Sequence, residues 1–247
     1  MLGAMVTSLE VALSFADAAG LEADCYVVVD VLRATTTIAT LFEAGLRDLL
    51  VVDDIDRARE SARRDGRLLF GEVGGLAPRG FDHGNSPVEA AGAAVAGRGA
   101  VLFTTNGTVT LCGLAGRGEV AAGAIANADA IAGHLRQHQR VAIVCAGNAR
   151  GQRFALEDLA AAGVIARAAR SQSTVADMGD GAVLAASVAE DDERVRAFVS
   201  GSEHSRHLAS LGLEADIGFA LRRGTSRAVP VVVESGAGWA MLRDVRG

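Results

Sequence analysis

The stretch CYVVVDVLRATTT, residues 25–37, decides how the chain is read. Val27, Val28, Val29 and Val31 favour a strand, and the run is apolar on both sides, which predicts a strand buried on both faces. Asp30 interrupts it, and a carboxylate there is costly unless a cation or a hydrogen-bond donor meets it. Arg33 and three threonines follow, where the chain turns toward a helix. A carboxylate at a strand's carboxyl end, beside a helix start, is placed to hold a metal ion next to a bound anion. A structural ion pair between Asp30 and Arg33 accounts for the same residues.

Working outward, apolar runs recur at 48–52, 68–70, 100–104, 120–125 and 141–145. Helical patterns fill the gaps at 36–44, 56–64, 87–96, 108–114 and 128–137. This alternation predicts a three-layer α/β/α architecture on a largely parallel or mixed sheet, as one domain or two lobes. After Cys145 the character turns helical, with one long helix over 154–169 and mostly helical chain to residue 221. A last strand at 229–233, entered through Pro230, predicts an edge position. Residues 1–247 read as a single unit; a helical appendage, if there is one, falls at 170–205.

Composition limits the chemistry. All 24 basic residues are arginine, so Schiff-base catalysis, pyridoxal phosphate attachment and a Walker A lysine are excluded. A phosphate group must be held by backbone amides, hydroxyls, arginine or metal. Net charge is −6 without a basic stretch, which argues against nucleic acid. The three cysteines form no CxxC pair, so neither a zinc site nor a disulfide framework is expected. Residues 1–20 lack a basic n-region, and no run of about 18 apolar residues exists, so the expectation is a cytoplasmic protein without a membrane partner. A homodimer is left open.

Three more apolar runs end in polar, Gly-rich turns. These are GEVGGLAPRGFDHGNSP at 71–87, TTNGT at 104–108 and CAGNARGQRFALED at 145–158. The first carries Glu72, Asp82, His83 and Asn85. In the second, hydroxyls and helix-start amides suit a tetrahedral anion, although a capped helix with an ordinary Asn-Gly turn explains it too. The third brings Asn148, Arg153, Glu157 and Asp158. If these four strand ends share one edge of a parallel sheet, they supply carboxylates for a hard cation and donors for an anion. That inventory fits metal-assisted hydrolysis of a phosphate ester. Asp30-Val31-Leu32 lacks the second aspartate of a haloacid dehalogenase Asp-x-Asp pair, and Gly151 stands where a Cys-x5-Arg loop from Cys145 needs its arginine. Attack by a metal-activated water is therefore preferred, with Asp30 as a transient phosphoryl acceptor the alternative.

DVLRATTT, GGL-x3-GFD-x-GNSP, TTNGT, CAGN and RFALED, in this order, resemble the 2-phosphosulfolactate phosphatase family. The likeness continues through HSRHLASLGLEADIGFAL at 204–221 and AVPVVV at 228–233. It implies a three-layer α/β fold and a Mg²⁺-dependent phosphatase. The implied reaction takes 2-phospho-3-sulfolactate to 3-sulfolactate and phosphate, a coenzyme M precursor step. Val73 and Ser205 depart from the family pattern, which often has arginine and glycine there. Another small phosphorylated acid therefore stays open as substrate, as does a non-catalytic module binding a phosphorylated or sulfonated metabolite. The expected metal ligands are Asp30, Glu72 and Asp158, with Glu157 or Asp158 as third ligand or base. Thr105, Asn106, Gly107 and Thr108 are expected to bind the phosphoryl group. Arg33 and Arg153 are assigned to the carboxylate and sulfonate, and Thr35, Asn85 and Asn148 complete the substrate-binding set. His204 and His83 are candidates for protonating the leaving alcohol, and His134 and His138 are expected to be solvated.

Overall fold

A computed structural model describes residues 5–246. In chain order the elements begin with β1 (Met5–Ala12), β2 (Cys25–Val29), α1 (Ala34–Glu43), β3 (Asp48–Val52), α2 (Ile55–Asp65) and β4 (Leu68–Gly71). Then come α3 (Pro87–Gly92), β5 (Gly99–Phe103), α4 (Gly107–Leu114), β6 (Glu119–Gly123), α5 (Ala128–Leu135) and β7 (Arg140–Cys145). The last part holds α6 (Leu156–Gln172), β8 (Thr174–Met178), α7 (Asp180–Val188), α8 (Asp192–Ser200), α9 (Glu203–Ser210), α10 (Glu214–Ala220), β9 (Pro230–Gly236) and β10 (Trp239–Asp244). Local chemistry explains several boundaries. Asp54 accepts from the amides of Asp56 and Arg57 to start α2, and Gly66 ends it in the left-handed region. Ser86 caps α3 ahead of Pro87, whose missing N–H is harmless in a first turn.

The strands form one ten-stranded sheet in the order β4-β5-β3-β10-β9-β6-β2-β7-β1-β8. Within β4-β5-β3, and again within β6-β2-β7-β1-β8, all pairs are parallel. The β9–β10 hairpin between the blocks is antiparallel to both neighbours, so the blocks run in opposite senses. The alternating side chains of β2 build two different cores. Cys25, Val27 and Val29 pack with α5 and α6, while Tyr26 and Val28 join the core of α1 and α4. A third cluster buries α2 on the other side of β3, β4 and β5. The result is a three-layer α/β/α arrangement on a mixed sheet.

Each strand read from the sequence is present, but β1, β8 and β10 were not foreseen. Their patterns mix polar residues into short runs, as in MVTSLEVA for β1. The stretch 170–205 supplies the edge strand β8 and the helices α7 and α8, which pack on α6. The strand expected at 229–233, which is β9, is not at an edge. It lies between β6 and β10, because Pro230 is its first residue and its contact with β6 is confined to Ala121 opposite Val231.

Candidate active site

A cavity of about 280 Å³ is lined by Glu72, Gly75, Thr105, Asn106, Asn148, Arg153, His204 and His207, among others. These residues come from the ends of β4, β5 and β7 and from α9. They do not share one edge of a parallel sheet, since β4 and β5 oppose β7. Connecting segments make the meeting instead. The turn after β5 carries the start of α4 onto Asp30, so closely that a Cβ on Gly107 would fall 2.6 Å from the Ala34 Cβ and 2.7 Å from Asp30 Oδ2. Glycine at 107 is what lets the helix start reach this carboxylate.

Behind the lining residues sits a group of buried acids. Asp30, Glu72, Glu157 and Asp158 are all at least nine-tenths buried. Glu72 accepts from the Thr105 amide and hydroxyl at 2.8 Å and from the Gly75 amide at 2.9 Å. Asp158 accepts from the Val31 amide at 2.9 Å and the Gly147 amide at 3.0 Å, bracing the ends of β2 and β7 together. Among the described residues, Asp30 Oδ1 accepts only a long bond, 3.3 Å, from the Ala34 amide, and Oδ2 accepts none. Burial raises the Asp30 carboxyl to about 6, against the opposing pull of His204. Burial, with the charges of Asp30 and Glu157, also drives Asp158 well above the ordinary carboxylate range. His204 Nδ1 lies 3.3 Å from Glu157 Oε1. Burial disfavours its charged form, but the Glu157 hydrogen bond and the Asp30 charge outweigh burial and raise its pKa.

The assigned substrate-binding residues divide clearly. Asn106, Asn148, Arg153, Thr105 and His204 line the cavity. Among the described residues no acceptor meets the amides of Asn106 and Gly107, and Asn106 Oδ1 accepts from the Arg150 amide at 3.0 Å. Thr35 and Thr108 face inward. The Thr35 hydroxyl bonds the Asp30 backbone, and the hydroxyl and amide of Thr108 close on Thr104. Asn85 is buried outside the lining, its Oδ1 without a partner. His83 stacks on Phe70 and bonds Glu89, away from the cavity.

Arg33 does not pair with Asp30, nor is it free for a substrate acid group. It is buried with Asp216, donating at 2.7 Å to Asp216 Oδ2 and at 2.6 Å to the Gly75 carbonyl, while Ser86 donates to Asp216 Oδ1 at 2.5 Å. This pair ties α1, the 72–75 turn and α10 into one wall. Arg33→Met strands a buried carboxylate and is expected to cost about 3–5 kcal/mol in chemical denaturation, whereas Arg33→Met with Asp216→Asn recovers most of it. A single variant as stable as wild type would remove the wall from the account.

The expected metal trio is also rearranged. Asp30, Glu72 and Asp158 do not bring ligand oxygens within 4.8 Å of one another; among the described residues only Cys25, Glu119 and His138 form such a group. Glu72 and Asp158 have spent both oxygens on backbone and hydroxyl donors, leaving Asp30 with an open one.

The 2-phosphosulpholactate phosphatase family model matches residues 15–235. The chain belongs to that family. It is 41% identical over 216 residues to a Deinococcus radiodurans protein named probable 2-phosphosulfolactate phosphatase, covering 85% of this chain and 88% of that one. A Thermus thermophilus protein of the same name is 40% identical over 212 residues, with 85% and 88% covered. A third, from Thermotoga petrophila, is 36% identical over 208 residues, with 84% and 88% covered. A 2-phosphosulfolactate phosphatase, the activity in the family's name, is a phosphoric monoester hydrolase, and the cavity has a polar lining.

Several residues of the site were not read from the sequence. Asp216, Ser86 and His207 belong to it, and Glu203 stands 3.8 Å from Arg153 at the rim. His204 and His207 are three apart on α9, a spacing that puts both on one helix face, and this was the available signal. Arg150 and Ala149 hold left-handed backbone at φ 57° and 51°, a strained turn that brings the Arg150 amide to Asn106. No helix of the described residues is long and apolar enough to cross a membrane.

Proposed function

We propose that this protein hydrolyses the phosphate ester of 2-phospho-3-sulfolactate, releasing 3-sulfolactate and phosphate. The observation that carries this reading is the buried acid group of Asp30, Glu157 and Asp158 around His204, beside the unpartnered amides of Asn106 and Gly107. Asp30, Asp158 and His204 are all displaced from their ordinary pKa values at or behind a polar cavity, which is a functional signature. The relatives' names supply the substrate.

The amides of Asn106 and Gly107, at the positive end of α4, face the developing charge on the phosphoryl oxygens. His204, held protonated by Glu157 and Asp30, donates its proton to the leaving alkoxide. Arg153 and His207 at the rim receive the sulfonate and carboxylate, Arg153 with a planar fork suited to either. Glu72 fixes the Thr105 turn, and Asp158 fixes the ends of β2 and β7, so both position the reacting groups. The donor chemistry fits Mg²⁺, which takes one or two protein carboxylates and fills its sphere with water and substrate oxygens. Asp30 would hold it through its open oxygen. When bound, the ion neutralises phosphoryl charge and lowers the pKa of a bound water. A place one step before sulfolactate in coenzyme M synthesis follows from the substrate.

The experiment is phosphate release from phosphosulfolactate, phosphoglycolate and phospholactate, each with Mg²⁺ and with EDTA. Release from phosphosulfolactate is expected to be fastest and to stop when EDTA removes the ion. Preference for a smaller phospho-acid would move the substrate assignment, in line with Val73 in place of arginine. Binding without release, indifferent to EDTA, would make the protein a metabolite-binding module.

A further inference from the structure

A second cluster of metal-type donors lies at the other end of β2. Cys25 is the first residue of that strand, and Asp30 follows its last, so the two are roughly 16 Å apart along the strand. Parallel pairing sets Cys25 directly beside Glu119, the first residue of β6. His134, in the last turn of α5, and His138, just beyond it, come down over the same edge. Glu119 Oε1 lies 2.6 Å from His134 Nε2 and 2.9 Å from His138 Nε2. The Cys25 thiol, a Glu119 oxygen and a His138 ring nitrogen all fall within 4.8 Å of one another.

These histidines are not solvated, as their helical spacing alone suggests, because Glu119 supplies the carboxylate that the local sequence lacks. Their side chains keep only 10% and 14% exposure. One detail separates this arrangement from an ordinary polar cluster. Among the described residues His138 Nε2 finds no hydrogen-bond partner and is sealed from solvent, although a carboxylate oxygen is 2.9 Å away. Ring nitrogen and oxygen are close without the donor pointing at the acceptor, so a buried nitrogen is left unsatisfied. Ligands that share a cation converge in this way, with their lone pairs turned toward a common point.

We propose that Cys25, Glu119 and His138 bind a Zn²⁺ ion, with His134 positioning the Glu119 carboxylate. Thiolate, imidazole and carboxylate together suit a borderline-soft ion of tetrahedral preference, unlike the all-oxygen donors around Asp30. Tetrahedral ligands about 2.0–2.3 Å from zinc stand roughly 3.3 Å or more apart, so Glu119 backs away from His138 by a few tenths of an ångström on binding. The Gln137 amide nitrogen, 2.8 Å from His134 Nδ1, fixes that ring from behind. Glu119 is 31% exposed and gives the ion its way in. The site ties the starts of β2 and β6 to the end of α5, and it leaves a fourth position for water.

The test uses the full chain, stripped with a chelator and kept in excess Mg²⁺ so that hard-oxygen sites are filled. Titration with Co²⁺ is expected to give thiolate-to-cobalt charge-transfer absorption that saturates at one equivalent and is bleached by one Zn²⁺. Cys25→Ser abolishes the band, and His138→Gln weakens Zn²⁺ binding at least about tenfold. Phosphate release is unchanged in both, because the cluster is remote from the cavity. If Cys25→Ser does not fold, His138→Gln, on the partly exposed rim, carries the test alone. Absence of the band in wild type, its survival in Cys25→Ser, or unaltered Zn²⁺ affinity in His138→Gln each overturns the proposal.

Discussion

Asp30→Asn is expected to lower kcat about 10³-fold or more while making the protein harder to unfold at pH 8. The two effects have one cause. Burial lifts the Asp30 carboxyl from the ordinary 3.8 to about 6 in the folded chain. For a group whose folded pKa is raised, the stabilising contribution is complete below the unfolded value and is lost as pH rises through the folded one. Above about pH 6, the ion-free folded state therefore carries an ionised carboxylate that it would sooner have neutral. Two units correspond to roughly 3 kcal/mol, a net figure in which the attraction to His204 is already counted. Asparagine keeps an oxygen for the Ala34 amide and removes the charge. Without Mg²⁺, Tm should rise by about 6–12 °C at pH 8 and by less at pH 5, given about 2–4 °C per kcal/mol for a chain of this size. Near wild-type turnover would take Asp30 out of the chemistry. A fall in both turnover and Tm at pH 8 would make it a structural residue.

The sequence carried the chemistry of the site better than its geometry. Asp30 was conspicuous because a lone carboxylate in a valine run has no packing reason to be there, and it lies in the acid cluster. Thr105, Asn106 and Gly107 were legible as a helix start without a lysine. Thr35, Thr108 and Arg33 looked alike on paper but turn their polar groups inward. Whether a hydroxyl bonds its own backbone or a ligand depends on rotamer and neighbours that local pattern does not encode. Arg33 is the clearest case, since its partner Asp216 is 183 residues away. The fold class followed from alternating apolar runs, but the opposed blocks did not. Their reversal is made by the β9–β10 hairpin, of which only the first strand had a recognisable apolar core. β1 and β8 escaped because Ser8, Glu10 and Asp177 dilute strands whose pairing is nonetheless fixed by their neighbours. The Cys25–Glu119–His138 cluster was invisible for the same reason as the Arg33 pair. Its members meet through strand register, so neither a CxxC nor a short His-Cys spacing announces them.

His204→Gln and Glu157→Gln should alter the pH profile in different ways, and that difference tests the proton donor. An imidazolium acting as general acid is competent below its folded pKa, so kcat falls as pH rises through that value. The His204 pKa is raised because Glu157 and Asp30 together outweigh burial. Removing the Glu157 charge leaves burial to act with less opposition, and burial lowers a histidine pKa. Glu157→Gln is therefore expected to carry the alkaline limb of the kcat profile to lower pH, with turnover largely kept at its acidic end. His204→Gln removes the group itself. It should cost about 10²–10⁴-fold in kcat and abolish the alkaline limb. A substrate with a better leaving group needs less protonation and should recover much of the His204→Gln loss. If His204 only packs α9 against the acids, its removal would depress the whole profile evenly, the alkaline limb would stay in place, and an activated ester would restore nothing.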